Sequence, residues 1–280
     1  MRLIIGIIIL LSFSSCEKIK YYDRFSENIG AATRTLAHKG NGECGFTPNT
    51  LEAVYEGLKR LDGIEVDVQI SINNTVWLSH DYLLPSCGNY NTNCFRETSD
   101  NSISQLDSCL GPEDNFTRLE EVFKLMADSF PDKYISIDAK AWTPCDIGNI
   151  DMIGELNVVA DGILQLTKKH GVKHVMVESE TATFLTYIKN RNKDIETYLT
   201  AFGDFDRGMG IALEKGFSGI SFEYMFKDEI TSDHISLLHK HGLKIQLWTL
   251  ESEEILEEAI SIKPDFIQTD LCNIPKVITN

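Results

Sequence analysis

Apolar runs of strand length recur along this chain, separated by longer stretches in which apolar residues return at helical spacing. Strands are predicted at 34–38, 63–70, 133–139, 173–178, 196–201, 218–222, 243–249 and 265–269. Helices are predicted near 49–61, 118–128, 152–170, 181–191, 206–215, 230–241 and 252–262. Punctuation agrees with these elements, since Asn49 or Thr50 opens the first helix, and Gly171, Gly216 and Gly242 follow the third, fifth and sixth. Strands alternating with helix-length spacers specify βαβ units and a parallel sheet, and eight such strands predict a closed (β/α)8 TIM barrel over an open sheet. The stretch from about 85 to 115, after the second strand region, is polar, turn-rich and too long for an ordinary connection. It reads as an insertion with a function of its own or a small cap.

Two strands break the expected pattern. Both faces of a parallel barrel strand are covered, so its residues should be almost continuously apolar. In Ile64-Glu65-Val66-Asp67-Val68-Gln69-Ile70 polar residues alternate strictly, which puts Glu65, Asp67 and Gln69 on one face. In Ile135-Ser136-Ile137-Asp138-Ala139-Lys140 the same alternation pairs Asp138 with Lys140. If those faces point into the barrel, several carboxylates meet where water is scarce, and a cation is the simplest way to neutralise them. Oxygen-only ligands favour a hard divalent ion, Mg2+ or Ca2+, over zinc. An antiparallel sheet with one wet face would produce the same alternation without a site, but helix-length spacers fit it badly. His38 and His80 close strand-like runs, Arg34–His38 and Val76–His80, where a barrel enzyme places its catalytic groups. Near a carboxylate cluster they offer a general acid and a general base. His170, His174, His234, His239 and His241 read as solvated or capping residues.

Composition narrows the partners. The 280 residues are 42% hydrophobic and 24% charged, which excludes a disordered or fibrous chain. A net charge of -16 argues against nucleic-acid binding through a cationic surface, so an anionic substrate needs a local positive site or a metal. Arg2, the apolar run Leu3–Leu11 and Ser12-Phe13-Ser14-Ser15-Cys16 follow the order of an export signal, and the run is too short to span a bilayer. The segment resembles a bacterial lipoprotein signal, with Phe13 in place of the usual aliphatic residue. The resemblance implies a signal peptide over 1–15, a lipidated Cys16, a tether over 16–32 and one barrel domain over 33–280, exported and anchored to a membrane. Cys44, Cys87, Cys94, Cys109, Cys145 and Cys272 remain; they contain no CxxC pair, and export permits disulfides among them as well as free buried thiols. No signal for an oligomer is visible.

The order His38-Lys39-Gly40, Asn49-Thr50-Leu51-Glu52-Ala53, Glu65-Val66-Asp67-Val68 and His80-Asp81 resembles the amino-terminal signature of the glycerophosphodiester phosphodiesterase family. Downstream, Leu119-Glu120-Glu121, Ile137-Asp138-Ala139-Lys140, Leu247-Trp248-Thr249 and Ile267-Gln268-Thr269-Asp270 resemble later family motifs in the same order. The resemblance implies a metal-dependent barrel that hydrolyses a small-molecule phosphodiester to glycerol 3-phosphate and an alcohol. It makes Glu65, Asp67 and Asp138 metal ligands, His38 and His80 the acid/base pair, Lys39 and Lys140 phosphate ligands, and Trp248 a wall of the substrate pocket. Three positions differ from the family pattern. Lys39 replaces an Arg and loses its two-point grip on phosphate; Pro48 stands where a Glu is expected, with Glu43 as the nearest substitute; Asp138 replaces a Glu and is one methylene shorter. Lys39 and the missing Glu keep another reading open, a weakly active or inactive barrel that binds a phosphorylated glycan or lipid headgroup, while a similar barrel and histidine pair could also support a phosphatidylinositol-phospholipase-like reaction. If the barrel is right, the six cysteines fall in loops at its catalytic rim, where disulfides would hold the insertion as a rigid cap.

Overall fold

The computed structural model describes residues 33–40, 44–85, 94–106, 115–140 and 152–271. The leader, Cys16, the tether, Glu43, Cys87, Cys109, Cys145 and Cys272 lie outside the described residues. Eight parallel strands close into a barrel: β1 (Arg34–Ala37), β2 (Gly63–Ile70), β4 (Tyr134–Ala139), β5 (His174–Ser179), β6 (Glu196–Ala201), β7 (Gly219–Glu223), β8 (Lys244–Leu250) and β9 (Phe266–Thr269). β1 pairs with both β9 and β2, which completes the circle. The remaining strand, β3 (Val76–Leu78), runs antiparallel to the carboxyl end of β2. Helices α1 (Leu51–Arg60), α3 (Leu119–Ser129), α4 (Met152–His170), α5 (Ala182–Arg191), α6 (Phe205–Lys215), α7 (Ser232–Lys240) and α8 (Glu253–Ser261) lie between the strands in sequence. A short α2 (Asp100–Ser104) belongs to the insertion. Among the described residues no helix is long and apolar enough to cross a membrane.

Strand alternation sorts the side chains into two environments. Ile64, Val66, Val68, Ile135, Ile137, Val175, Val177, Ile220, Ile245 and Ile267 point outward into one apolar core shared with the helices. The alternate residues point into the barrel. At its amino end the interior is plugged by Leu36, Met176, Tyr198 and Phe266, with Tyr134 packed beside them. Lys244 and Glu196 pair there at 2.9 Å, and Tyr198 donates to Glu196 at 2.7 Å. Gly63 is needed at this end because a Cβ on it would lie 2.3 Å from the carbonyl oxygen of Tyr134. Above the plug the interior is polar, and it opens at the carboxyl ends of the strands.

Two expectations need correction. The insertion, polar and turn-rich in sequence, nonetheless packs: Phe95, Ile103 and Leu106 are buried with Trp77, Leu84 and Phe116 in a small core of their own. Asp100 secures it by accepting from Ser71 and Thr75, both at 2.6 Å, and from Trp77 Nε1 at 3.1 Å. Widely spaced apolar residues concealed this cluster, because they meet only when the loop folds back on β3. Of the histidines read as solvated or capping, His241 is the C-cap of α7, but two others are engaged in the body of the protein. His174 stacks on Tyr134 at 4.6 Å between ring centroids, and His239 pairs with the buried Asp265 at 2.9 Å.

Candidate active site

The first strand ends in a turn that carries two roles. His38, Lys39 and Gly40 form a single 3-10 turn after β1, with Lys39 in the left-handed region at φ 51°. Gly40 shares that conformation at φ 72°, and a Cβ on it would come within 2.9 Å of the Val54 amide nitrogen on α1. The turn therefore lies directly on the start of α1. Its backbone aims Lys39 N–H at Glu65 Oε2, 2.9 Å away. Thr50 caps α1 by accepting from Ala53 N–H, and the preceding Asn49 is left-handed at φ 61°. That conformation turns the Asn49 side chain onto Asp67: Nδ2 donates to Oδ2 at 2.9 Å, and Oδ1 accepts from the Asp67 amide at 3.1 Å.

The register between strands decides how the carboxylates meet. Asp67 stands opposite Asp138, and Asp138 stands opposite Glu178 on the next strand. Three neighbouring strands thus place an acid on one rung, with Glu65 one rung below Asp67. Ligand oxygens of Glu65, Asp67 and Asp138 all lie within 4.8 Å of one another. Lys140 bridges two of them, pairing with Asp67 Oδ1 at 2.9 Å and closely with Asp138 Oδ2.

The electrostatics follow from that crowding. Burial, then the neighbouring Asp67, Glu178 and Asp138 charges, push Glu65 well above the usual carboxylate range. Burial also raises Asp138, and despite Lys140 beside it the group reaches about 7. Burial works against the charge on Asp67 too, but Lys140, His80 and the Asn49 hydrogen bond outweigh it and hold the group low. Lys140 itself is driven up, because Asp138 and Asp67 overcome the effect of its burial. One ammonium cannot balance this many carboxylates. An all-oxygen donor set with excess negative charge fits a hard divalent cation, and the cluster could bind one.

The histidines occupy different settings. His38 Nδ1 lies 2.6 Å from Asp270 Oδ1, which assigns the proton to Nδ1 and leaves Nε2 as the available base. Nε2 faces Thr249 Oγ1 at 3.5 Å and Glu65 Oε2 at 3.9 Å. His80 follows β3, whose return along β2 brings the chain back to the mouth: Ser79 N–H donates to the Asp67 carbonyl at 3.0 Å. The His80 side chain is 42% exposed, with Nδ1 2.9 Å from Asp81. Lys39 has no ion-pair partner among the described residues. Trp248 stands at the mouth end of β8 with a buried, unpartnered Nε1, and its peptide bond to Thr249 is cis.

Several site residues escape sequence reasoning about roles. Asn49 and Asp270 sit inside quoted motifs, so the signal was present, but only the fold shows that one grips Asp67 and the other orients His38. Glu178 carries no local signal at all. It is buried inside the barrel, accepting from Ser136 at 2.9 Å, from Gln268 at 2.7 Å and from Ser221. Changing Asn49 to Asp keeps the shape but replaces a donor with a second carboxylate facing Asp67. We expect kcat/KM to fall by about 10- to 100-fold, in line with about 1–3 kcal/mol for an unsatisfied charged group. Steady-state kinetics beside a circular dichroism melt would check it, and an unchanged kcat/KM would show that Asn49 does not position Asp67.

The family model of the glycerophosphoryl diester phosphodiesterase family matches residues 38–273. Solved structures agree at the level of fold. A glycerophosphodiester phosphodiesterase from Parabacteroides distasonis is 18% identical with a TM-score of 0.70, covering 88% of this chain and 95% of its own. The Oleispira antarctica phosphodiesterase solved with its product sn-glycerol-3-phosphate is 16% identical with a TM-score of 0.71, covering 85% and 93%. A glycerophosphodiester phosphodiesterase from Thermotoga maritima is 22% identical with a TM-score of 0.65, covering 86% and 95%. No curated protein matches the chain. With barrel, acidic cluster and family match in agreement, the chain belongs to the glycerophosphoryl diester phosphodiesterase family and is a phosphoric diester hydrolase.

Proposed function

We propose that this chain is an exported, lipid-anchored enzyme that hydrolyses glycerophosphodiesters to glycerol 3-phosphate and an alcohol with the help of Mg2+ or Ca2+. The observation that carries the reading is the convergence of Glu65, Asp67 and Asp138 within 4.8 Å, beside a histidine oriented by Asp270. Residues 33–280 are read as one domain. Lipid anchoring rests on the Leu3–Cys16 segment. The proposed disulfides are supported by Cys44 and Cys94, both of which are disulfide-bonded.

Glu65, Asp67 and Asp138 would hold the cation, which when bound supplies positive charge to the phosphoryl oxygens. Lys140 stays at the edge of that cluster and turns to a phosphate oxygen as substrate enters, while Lys39 offers a second ammonium. His38 Nε2 takes the proton of the attacking glycerol hydroxyl, and Asp270 stabilises the imidazolium that results. The new P–O bond forms as the bond to the alcohol breaks. His80, exposed at the mouth, gives its proton to the departing alkoxide. Water then opens the cyclic phosphate with the histidine roles reversed. Trp248 walls the pocket on the far side.

Turnover of glycerophosphocholine, with glycerol 3-phosphate detected enzymatically, tests the reading. Activity should be abolished by a chelator and restored by added Mg2+ or Ca2+. Turnover indifferent to chelation, or tight binding of the diester without turnover, would overturn it.

A further inference from the structure

The mouth of the site is bordered by large apolar side chains left in solvent. Phe202, after β6, is 54% exposed, and Met225 and Phe226, after β7, are 73% and 37% exposed. They make up a ledge on the loops that follow two adjacent strands. A Cβ on Gly203 would fall 3.0 Å from the Phe226 ring, and the Phe202 ring meets Trp248 edge-on at 5.8 Å. The ledge therefore runs from the wall of the pocket outward to solvent. Phe202 also lines a cleft of about 420 Å³ at the ends of β6, α5 and α6, whose walls include Ala182, Leu199 and Ile211 together with Glu180, Asp204 and Arg207. Ile72, 55% exposed beyond the carboxyl end of β2, adds an apolar point from another loop of the same end. Scattered apolar residues are ordinary on a protein surface, but a contiguous patch at the mouth of a site marks an interaction surface.

Two observations select the occupant. Asp204, Asp206, Asp228 and Glu229 are exposed around the ledge, against Arg207 and Lys227, and Lys227 is already paired with Glu258 at 2.8 Å. An acidic border repels anionic surfaces and suits a zwitterionic one, whose outer charge is cationic. The second is chain length. β1 starts at Arg34, at the plugged end of the barrel, so an anchor at Cys16 joins the body opposite the mouth. Residues 16–32 reach up to about 60 Å at about 3.3–3.6 Å each, while the eight residues of β2 rise about 27 Å. The tether is long enough to pass the barrel and let the mouth face the bilayer that holds the chain.

We infer that the ledge of Phe202, Met225 and Phe226 docks the mouth onto a zwitterionic lipid surface, so that the enzyme takes glycerophosphodiesters whose alcohol is a lipid. The inference rests on the proposed phosphodiesterase function. The full chain, reconstituted into phosphatidylcholine vesicles with brominated acyl chains, would be assayed on soluble glycerophosphocholine and on a vesicle-borne glycerophosphodiester of hexadecanol. Met225→Ser combined with Phe226→Ser should lower turnover of the vesicle-borne diester about tenfold and relieve bromine quenching of tryptophan fluorescence, because two apolar side chains no longer enter the lipid. Glycerophosphocholine turnover should stay within about twofold, which also shows that the variant folds. The inference is overturned if both substrates and the quenching are unaffected, if phosphatidylglycerol vesicles serve equally well, or if the variant's effect is loss of a dimer. An unsubstituted chain inactive on glycerophosphocholine would sink the functional reading instead, and quenching would still decide the docking.

Discussion

Replacing His38 with Ala is expected to lower kcat by about 10²- to 10⁴-fold with the fold intact. That range is the usual contribution of a positioned general base. The size of the effect follows from the lack of a substitute. Glu65 is the nearest carboxylate to Nε2, but its proton affinity is raised by burial and by Asp67, and one of its oxygens accepts from the Lys39 amide. It is committed to the cluster. Asp270→Asn should cause a smaller loss, because the imidazole remains while its tautomer and the charge that stabilises the imidazolium are no longer held. The acidic limb of the pH profile should shift in that variant, which distinguishes an orienting role from a purely structural one. Stopped assays of glycerol 3-phosphate release across pH 5 to 9 would decide the matter. A His38→Ala protein within about threefold of the parent would end the assignment of His38 as base.

The second large effect is on stability. Changing Lys140 to Met removes the ammonium that bridges Asp67 and Asp138 and leaves the buried Asp67 facing the half-buried Asp138 across adjacent strands. Removing one partner from a buried ion pair costs about 3–5 kcal/mol, so the melting temperature of chelated protein should fall by many degrees. The pH dependence has a definite sign. In the parent chain Asp138 is raised from 3.8 to about 7, so it weakens the fold increasingly as pH climbs through that interval and contributes nothing below it. Without Lys140 both acids bind protons more tightly in the folded state, so the loss should be greatest above neutrality and shrink toward pH 4. Added Mg2+ should recover part of the loss, since a divalent ion can replace the missing charge. A Lys140→Met chain that melts at the parental temperature at pH 8 would show that the carboxylates are not held charged by this lysine.

The element pattern was legible in the sequence because the barrel's outer face and its helices obey simple periodicities. Ile64, Val66 and Val68 had to face helices, and the acids between them had to face inward once the sheet closed. Polar alternation in just two strands was enough to point to Glu65, Asp67 and Asp138. His80 was read both from the end of the strand-like run Val76–His80 and from a family motif, but the run is no barrel strand: β3 reaches the mouth by doubling back on β2. What stayed hidden was contact across long sequence distances. Asp270 orients His38 from 232 residues away, and Gln268 reaches Glu178 across 90. Glu178 looked like any acid at the end of a strand.

The sequence by itself determined which residues could be buried together and which faces they share, since side-chain period and apolar spacing are local properties of the chain. It also determined the excess of carboxylate over ammonium that calls for a cation. Only the tertiary structure decided the rung on which Asp67, Asp138 and Glu178 align, the grip of Asn49 on Asp67 and the partner of His38. Register and closure are set by how whole strands pack against one another, and no segment read alone contains that information.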